Sequence, residues 1–134
     1  MKVLADASVW LPALRSQKSG ASPTAEELKD LVRESLVVLI GPVRQALLSG
    51  ISDDAVFHAL KSKLEALPDV ALTARDYETA AEFCNLCRKR GLSGPPIDFL
   101  VCASAHNHGL LIFSADPAFA RYAKRLPIRL LKLE

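Results

Sequence analysis

The chain has 134 residues, half of them apolar and about a quarter charged, with a formal net charge of +2. That length suits one domain with its own hydrophobic core, and the composition excludes a disordered chain. So small a net charge does not by itself mark a nucleic-acid binder, and no apolar run reaches the roughly 18 residues of a membrane helix.

Residues 2–5, KVLA, read as a short first strand. Residues 24–34 carry Thr24 as a cap, an acidic first turn and apolar residues at helical spacing, which predicts a helix. SLVVLI at 35–40 is rich in β-branched residues and predicts a second strand. Gly41-Pro42 ends it and starts a helix that runs to about Leu48 and stops at Gly50. Asp53 caps the next helix, over 55–67, and Pro68 stops it. VALT at 70–73 reads as a third short strand. Thr73 or Ala74 opens a helix through Arg90, closed by Gly91. After the loop Ser93-Gly94-Pro95-Pro96, a helix from Pro96 reaches about Asn107 and stops at Gly109. An apolar strand at 110–114, a short helix at 117–125 and a strand at 128–133 complete the chain. Strands separated by helices predict a single α/β domain over 1–134, an α/β/α sandwich around a mostly parallel sheet of four to five strands.

Cysteine and histidine add little chemistry. Cys84 and Cys87 form a C-x-x-C inside a predicted helix, Cys102 lies on another, and no second ligand pair exists for a metal knuckle. Buried filler is the expected role for all three. His106 and His108 end a predicted helix, where a cationic side chain is favourable, and no third ligand accompanies them. The N-terminus has Lys2 but an early Asp6 and no apolar signal core, so a cytoplasmic setting is expected.

Three aspartates carry the functional argument. Asp6 closes the first strand, Asp116 follows the strand 110–114 after one turn residue, and Asp98 lies in the first turn after Pro95-Pro96. Ligands of open α/β sheets gather outside the carboxyl ends of the strands, so the three are expected to meet there. Clustered carboxylates repel unless a cation neutralises them, and Mg²⁺ or Mn²⁺ prefers oxygen donors. Taken singly, each aspartate is equally a helix cap.

Four blocks, LADAS, GPVRQALLSG, PPIDFLVCASAHNHG and LLIFSADPAF, together resemble the PIN domain, and within it the VapC-type toxins of toxin–antitoxin pairs. The resemblance runs from Val3 to about Arg129. It implies a PIN-like fold and a metal-dependent endoribonuclease that hydrolyses RNA phosphodiesters. Asp6, Asp98 and Asp116 match three of the family's metal-binding acids, and Ser8 and Ser114 match hydroxyl residues of the same pocket. One or two Mg²⁺ or Mn²⁺ ions there would lower the pKa of a bound water for in-line attack.

The remaining acid is missing. The family pattern resembles PVxQELLxG, whereas this chain reads Pro42-Val43-Arg44-Gln45-Ala46-Leu47-Leu48-Ser49-Gly50. Ala46 stands where glutamate is expected, through either an introduced change or natural weakening, and activity should be impaired. The resemblance also implies a cognate antitoxin that silences the toxin, and a homodimer built on helices near 53–67 and 74–90. Trp10, Leu11 and Leu14 are either core or part of a groove for such a partner. Arg44, Arg121, Lys124 and Arg125 are RNA-phosphate candidates, set against a plain solvated face. The alternative function is a catalytically inactive PIN-fold protein that binds RNA or antitoxin. A receiver-like phospho-acceptor domain also gathers aspartates at strand ends, but the second strand here ends in IGP without an acid.

Overall fold

The structure is a computed structural model, and it describes residues 1–15 and 22–132, without the side chains of Leu14 and Arg15. The Leu14 side chain and Leu133, at the end of the last predicted strand, lie outside the described residues. Three strands, β1 (Val3–Ala5), β2 (Val37–Val38) and β3 (Leu111–Phe113), form a parallel sheet in the order β2-β1-β3. Val3 pairs with Val37 on one side and Leu111 on the other. All three residues of β1 are buried, as expected for a central parallel strand covered on both faces.

Seven helices complete the described fold: α1 (Ala7–Arg15), α2 (Pro23–Arg33), α3 (Gly41–Ser49), α4 (Asp54–Glu65), α5 (Ala74–Lys89), α6 (Pro96–His108) and α7 (Ala118–Ala123). The α/β architecture matches the expectation, with a smaller sheet. The strands predicted at 70–73 and 128–133 shrink to single parallel bridges, Leu39 with Asp69 and Ile112 with Leu130. Each bridge has one pair of backbone bonds, such as Val70 N to Leu39 O at 2.8 Å and Leu131 N to Ile112 O at 2.8 Å. Pro68 lacks an N–H and lies beside the first of these, which limits how far that pairing extends.

Three other boundaries differ from the sequence reading. Helix α2 is capped by Ser22, whose hydroxyl accepts from Ala25 N at 3.2 Å, with Pro23 at the first helical position; Thr24 lies inside. Ser35 takes a left-handed φ of 59° in the turn before β2, so it cannot extend that strand. Helix α1 has no counterpart among the predicted elements, since Pro12 and β-branched Val9 obscure it. The cap and stop residues of the later helices do agree. Asp53 accepts from Val56 N, Thr73 and Asp76 form a capping box, and Gly109 closes α6 at φ 66°.

The core surrounds β1 and β3 and continues into α6, which is buried from Phe99 to Ala105 and packs along α5. Cys87 and Cys102 are buried and Cys84 is half-buried, all as free thiols. Chain order runs from central β1 to β2 on one side, then returns to β3 on the other. The switch in direction therefore falls between the carboxyl ends of β1 and β3, where open α/β folds present their binding crevice.

Candidate active site

Parallel pairing places the ends of β1 and β3 side by side, with Asp6 N donating to Phe113 O at 3.0 Å. Asp6 is the first residue beyond β1 and is buried, 8% exposed. Its Oδ1 accepts from the Ser8 amide at 3.1 Å and from the Ser8 hydroxyl. Its Oδ2 accepts from Ser114 Oγ at 2.9 Å. The two hydroxyls lie 3.1 Å apart, and Ser8 Oγ also accepts from Ala115 N at 2.8 Å. Residues 106 positions apart thus lock the two strand ends around one carboxylate.

Asp116 joins the network through its backbone, its N–H donating to Ser114 Oγ at 3.0 Å. Its Oδ1 accepts from Ala118 N at 2.9 Å at the start of α7. Asp98 lies in the first turn of α6 and accepts from the Tyr122 hydroxyl at 2.8 Å. The cap reading and the site reading coexist: Asp6 and Asp116 each accept an N–H at a helix start and face the same edge.

Electrostatics tie the three together. Burial raises the Asp6 carboxyl above its ordinary value, with Asp116 adding to the rise and the serine bonds opposing it. Asp98 is also raised, first by burial and then by Asp116 and Asp6, while the Tyr122 bond opposes. Beneath them Cys102 is pushed far up by burial and by the charges of Asp98 and Asp6. Three carboxylates within Coulombic reach of one another form a negative pocket that a cation would stabilise.

They do not close into a ready-made cage: among the described residues no three His, Cys, Asp or Glu side chains form a metal-holding group. Mutual repulsion opposes closure, and separate donors hold each carboxylate in place. The donor chemistry still fits a hard divalent cation, since carboxylate and hydroxyl oxygens face one edge. Ala46 is exposed on α3 and supplies no ligand.

Residues 3–125 match the PIN domain family. The chain belongs to that family. Solved structures similar to this PIN domain include FitAcB from Neisseria gonorrhoeae, at 18% identity and a TM-score of 0.72, covering 97% of this chain and 96% of the other. VapBC2 from Rickettsia felis bound to a promoter DNA fragment is 15% identical with a TM-score of 0.77, covering 100% of both chains. DNA-bound VapBC from Salmonella typhimurium is 13% identical with a TM-score of 0.78, covering 98% and 97%. At such identities the likeness is one of fold. No curated protein matches the sequence.

The basic candidates divide into two groups in this PIN domain. Arg44 is a tie inside the fold, where its guanidinium meets Asp69 at 2.8 Å and donates to Leu64 O at 2.8 Å and Leu67 O at 3.0 Å. Arg121, Lys124 and Arg125 instead surround a shallow cavity with Arg90 and Leu92. Tyr122 and Arg90 escaped the sequence reading. The phenol had no signal beyond an apolar position on a short helix, and Arg90 read only as the end of α5.

Two apolar hollows also lie on the described surface. Trp10 is buried, donates from its indole to Ala5 O at 3.2 Å, and lines a groove of about 360 Å³ with Leu28, Val32 and Leu67, rimmed by Lys29 and Lys63. Leu11 is exposed and does not line that groove. A hollow of about 410 Å³ lies between α5 and α6, with Tyr77, Ala81, Cys84 and Ile97 in its walls. Among the described residues no helix is long and apolar enough to cross a membrane.

Proposed function

We propose that this PIN domain is a VapC-type toxin, a divalent-metal-dependent endoribonuclease silenced by a cognate antitoxin and weakened by Ala46. What supports the reading most is the position of Asp6 and Asp116 just past the carboxyl ends of β1 and β3, with Asp98 electrostatically coupled to both. PIN domains are generally nucleases, and the toxin–antitoxin complexes of similar fold support the antitoxin partner.

Asp6, Asp98 and Asp116 would hold Mg²⁺ or Mn²⁺. When bound, such an ion supplies Lewis acidity toward a phosphate oxygen and a water acidic enough to lose its proton near neutrality. The chain's own groups set the geometry. Ser8 and Ser114 fix both oxygens of Asp6, Tyr122 fixes one oxygen of Asp98, and Ala118 N fixes one oxygen of Asp116. The Trp10 groove suits an apolar antitoxin segment, and the hollow between α5 and α6 suits a second copy in a homodimer. Both partners act in the cytoplasm on this reading.

The second reading is a PIN-fold protein that binds RNA or antitoxin without cleaving, favoured by the exposed methyl of Ala46 where a carboxylate is expected. Restoring the acid by Ala46→Glu and assaying several RNAs with and without Mg²⁺ or Mn²⁺ separates the two. Metal-stimulated cleavage that an Asp98→Asn change abolishes supports the nuclease. Failure of the restored protein on every RNA, with both metals, overturns it.

A further inference from the structure

Four cations from two parts of the chain surround one cavity of about 180 Å³: Arg90 at the end of α5, and Arg121, Lys124 and Arg125 on and just after α7. All four are exposed, and none forms an ion pair with an acidic side chain among the described residues. Helix dipoles explain single cations at the ends of α5 and α7, since the C-terminal carbonyls attract them. They do not explain four converging on one hollow, where like charges repel until an anion enters. Leu92 adds an apolar patch against which a ribose or base edge can lie.

The hollow and the acidic edge are built on the same two segments of the chain. Helix α7 presents Tyr122 to Asp98 and carries Arg121 as the preceding residue in the chain. The loop that leaves Arg90 passes Leu92 and brings Gly94 beneath the Tyr122 hydroxyl and Asp98. One helix and one loop therefore frame a basic hollow and an acidic pocket together. An anion recognised beside a phosphodiester-cleaving pocket is most simply a neighbouring phosphate of the same strand.

We infer that Arg90, Arg121, Lys124 and Arg125 form a phosphate subsite that grips single-stranded RNA beside the cleavage pocket. This rests on the nuclease reading for the identity of the strand. Sequence specificity is not its task, because phosphate contacts position a strand and base contacts select it.

The test is binding of a labelled single-stranded RNA to the full chain, without added metal, over a series of salt concentrations. A variant with Arg90→Gln, Arg121→Gln, Lys124→Gln and Arg125→Gln is compared with a charge-matched control, Lys61→Gln, Arg75→Gln, Arg129→Gln and Lys132→Gln. The subsite variant should bind at least roughly tenfold more weakly, and its salt slope should fall by about 0.7 for each phosphate it no longer neutralises. The control should keep both. Equal weakening of the two variants, or of neither, overturns the subsite. Displacement of the RNA by polyglutamate as readily as by unlabelled RNA would assign the hollow to an acidic protein segment and also overturn it. The two readings fail separately: hollow-dependent RNA binding by an Ala46→Glu protein that never cleaves removes the nuclease and leaves the subsite. Cleavage by that protein with KM unchanged after the four glutamine substitutions does the reverse.

Discussion

The hydroxyl of Tyr122 donates to Asp98 Oδ2 across 2.8 Å, fastening α7 to the first turn of α6. The ring is 2% exposed and packs against Phe99 and Phe119, with centroids 5.0 and 5.3 Å away. Burial and the adjacent Asp98 charge push its own titration far up, so the phenol keeps its proton and remains a donor. Removing the donor leaves the ring in place and frees the carboxylate to rotate. In the Ala46→Glu background, Tyr122→Phe should weaken Mn²⁺ binding by about 10–100-fold, read by titration calorimetry, while costing only about 0.5–1.5 kcal/mol of stability. Unchanged Mn²⁺ affinity would show that Asp98 needs no such restraint.

Gly94 is required by the same phenol. A Cβ built there would clash with Tyr122 Oη and lie 3.4 Å from Asp98 Oδ2. The ring is held on two sides and cannot swing away cheaply. Gly94→Ala should therefore destabilise by about 1–3 kcal/mol through overpacking, measured by urea unfolding. In the Gly94→Ala, Tyr122→Phe double variant the closest clash disappears, and the two costs should be strongly less than additive. Simple additivity would place the strain elsewhere.

Arg44 makes two kinds of contact whose costs should separate. The Asp69 pair is partly exposed, with side chains 24% and 42% accessible, so Asp69→Asn should cost less than about 1 kcal/mol. The bonds to Leu64 O and Leu67 O cap the end of α4 and the turn beyond it. Arg44→Ala should cost more, about 1.5–3 kcal/mol for the missing charge-assisted bonds, without weakening RNA binding. Equal losses from the two substitutions in denaturant titrations would contradict this division.

Asp76 gives the fold a pH dependence remote from the site. It is 1% exposed, bonded to Thr73 N at 3.0 Å, Asn107 Nδ2 at 2.9 Å and His108 Nε2 at 3.2 Å. Burial alone would raise its carboxyl, but the bonds from Asn107, Thr73 and His108 outweigh burial and lower it. Since the unfolded value is about 3.9, the stabilisation is complete above that pH and is lost as pH falls through the lower folded value. Wild type should exceed Asp76→Asn in stability by about 1–3 kcal/mol at neutral pH, and the gap should close in the acid limb of a pH–stability curve. A gap constant from neutrality down to strong acid would exclude the ionised carboxylate as its source.

Much of this architecture was legible because it rests on local chemistry. Gly41-Pro42, Asp53, Thr73, Pro96 and Gly109 act through backbone rules that operate within a few residues, and the helices they bound are present. Helix α1 was not legible, because Pro12 and Val9 argue against a helix that tertiary packing nonetheless forms. The two outer strands were over-read for a related reason. Their apolar runs have the right composition, but pairing extends only as far as a neighbouring strand offers partners, which here is one bridge each.

The acids show the same division. Sequence alone determined that Asp6, Asp98 and Asp116 sit at element ends, that position 46 offers only a methyl group, and that the late part of the chain is basic. Only the tertiary structure decided that Ser8, at the start of α1, and Ser114, just past β3, grip one carboxylate, that Tyr122 restrains Asp98, and that Arg44 is bound inside the fold while Arg90 joins three other cations. The reason is physical: caps and turns are set by neighbours along the chain, whereas charge neutralisation and hydrogen-bond partnership depend on distances that only packing creates.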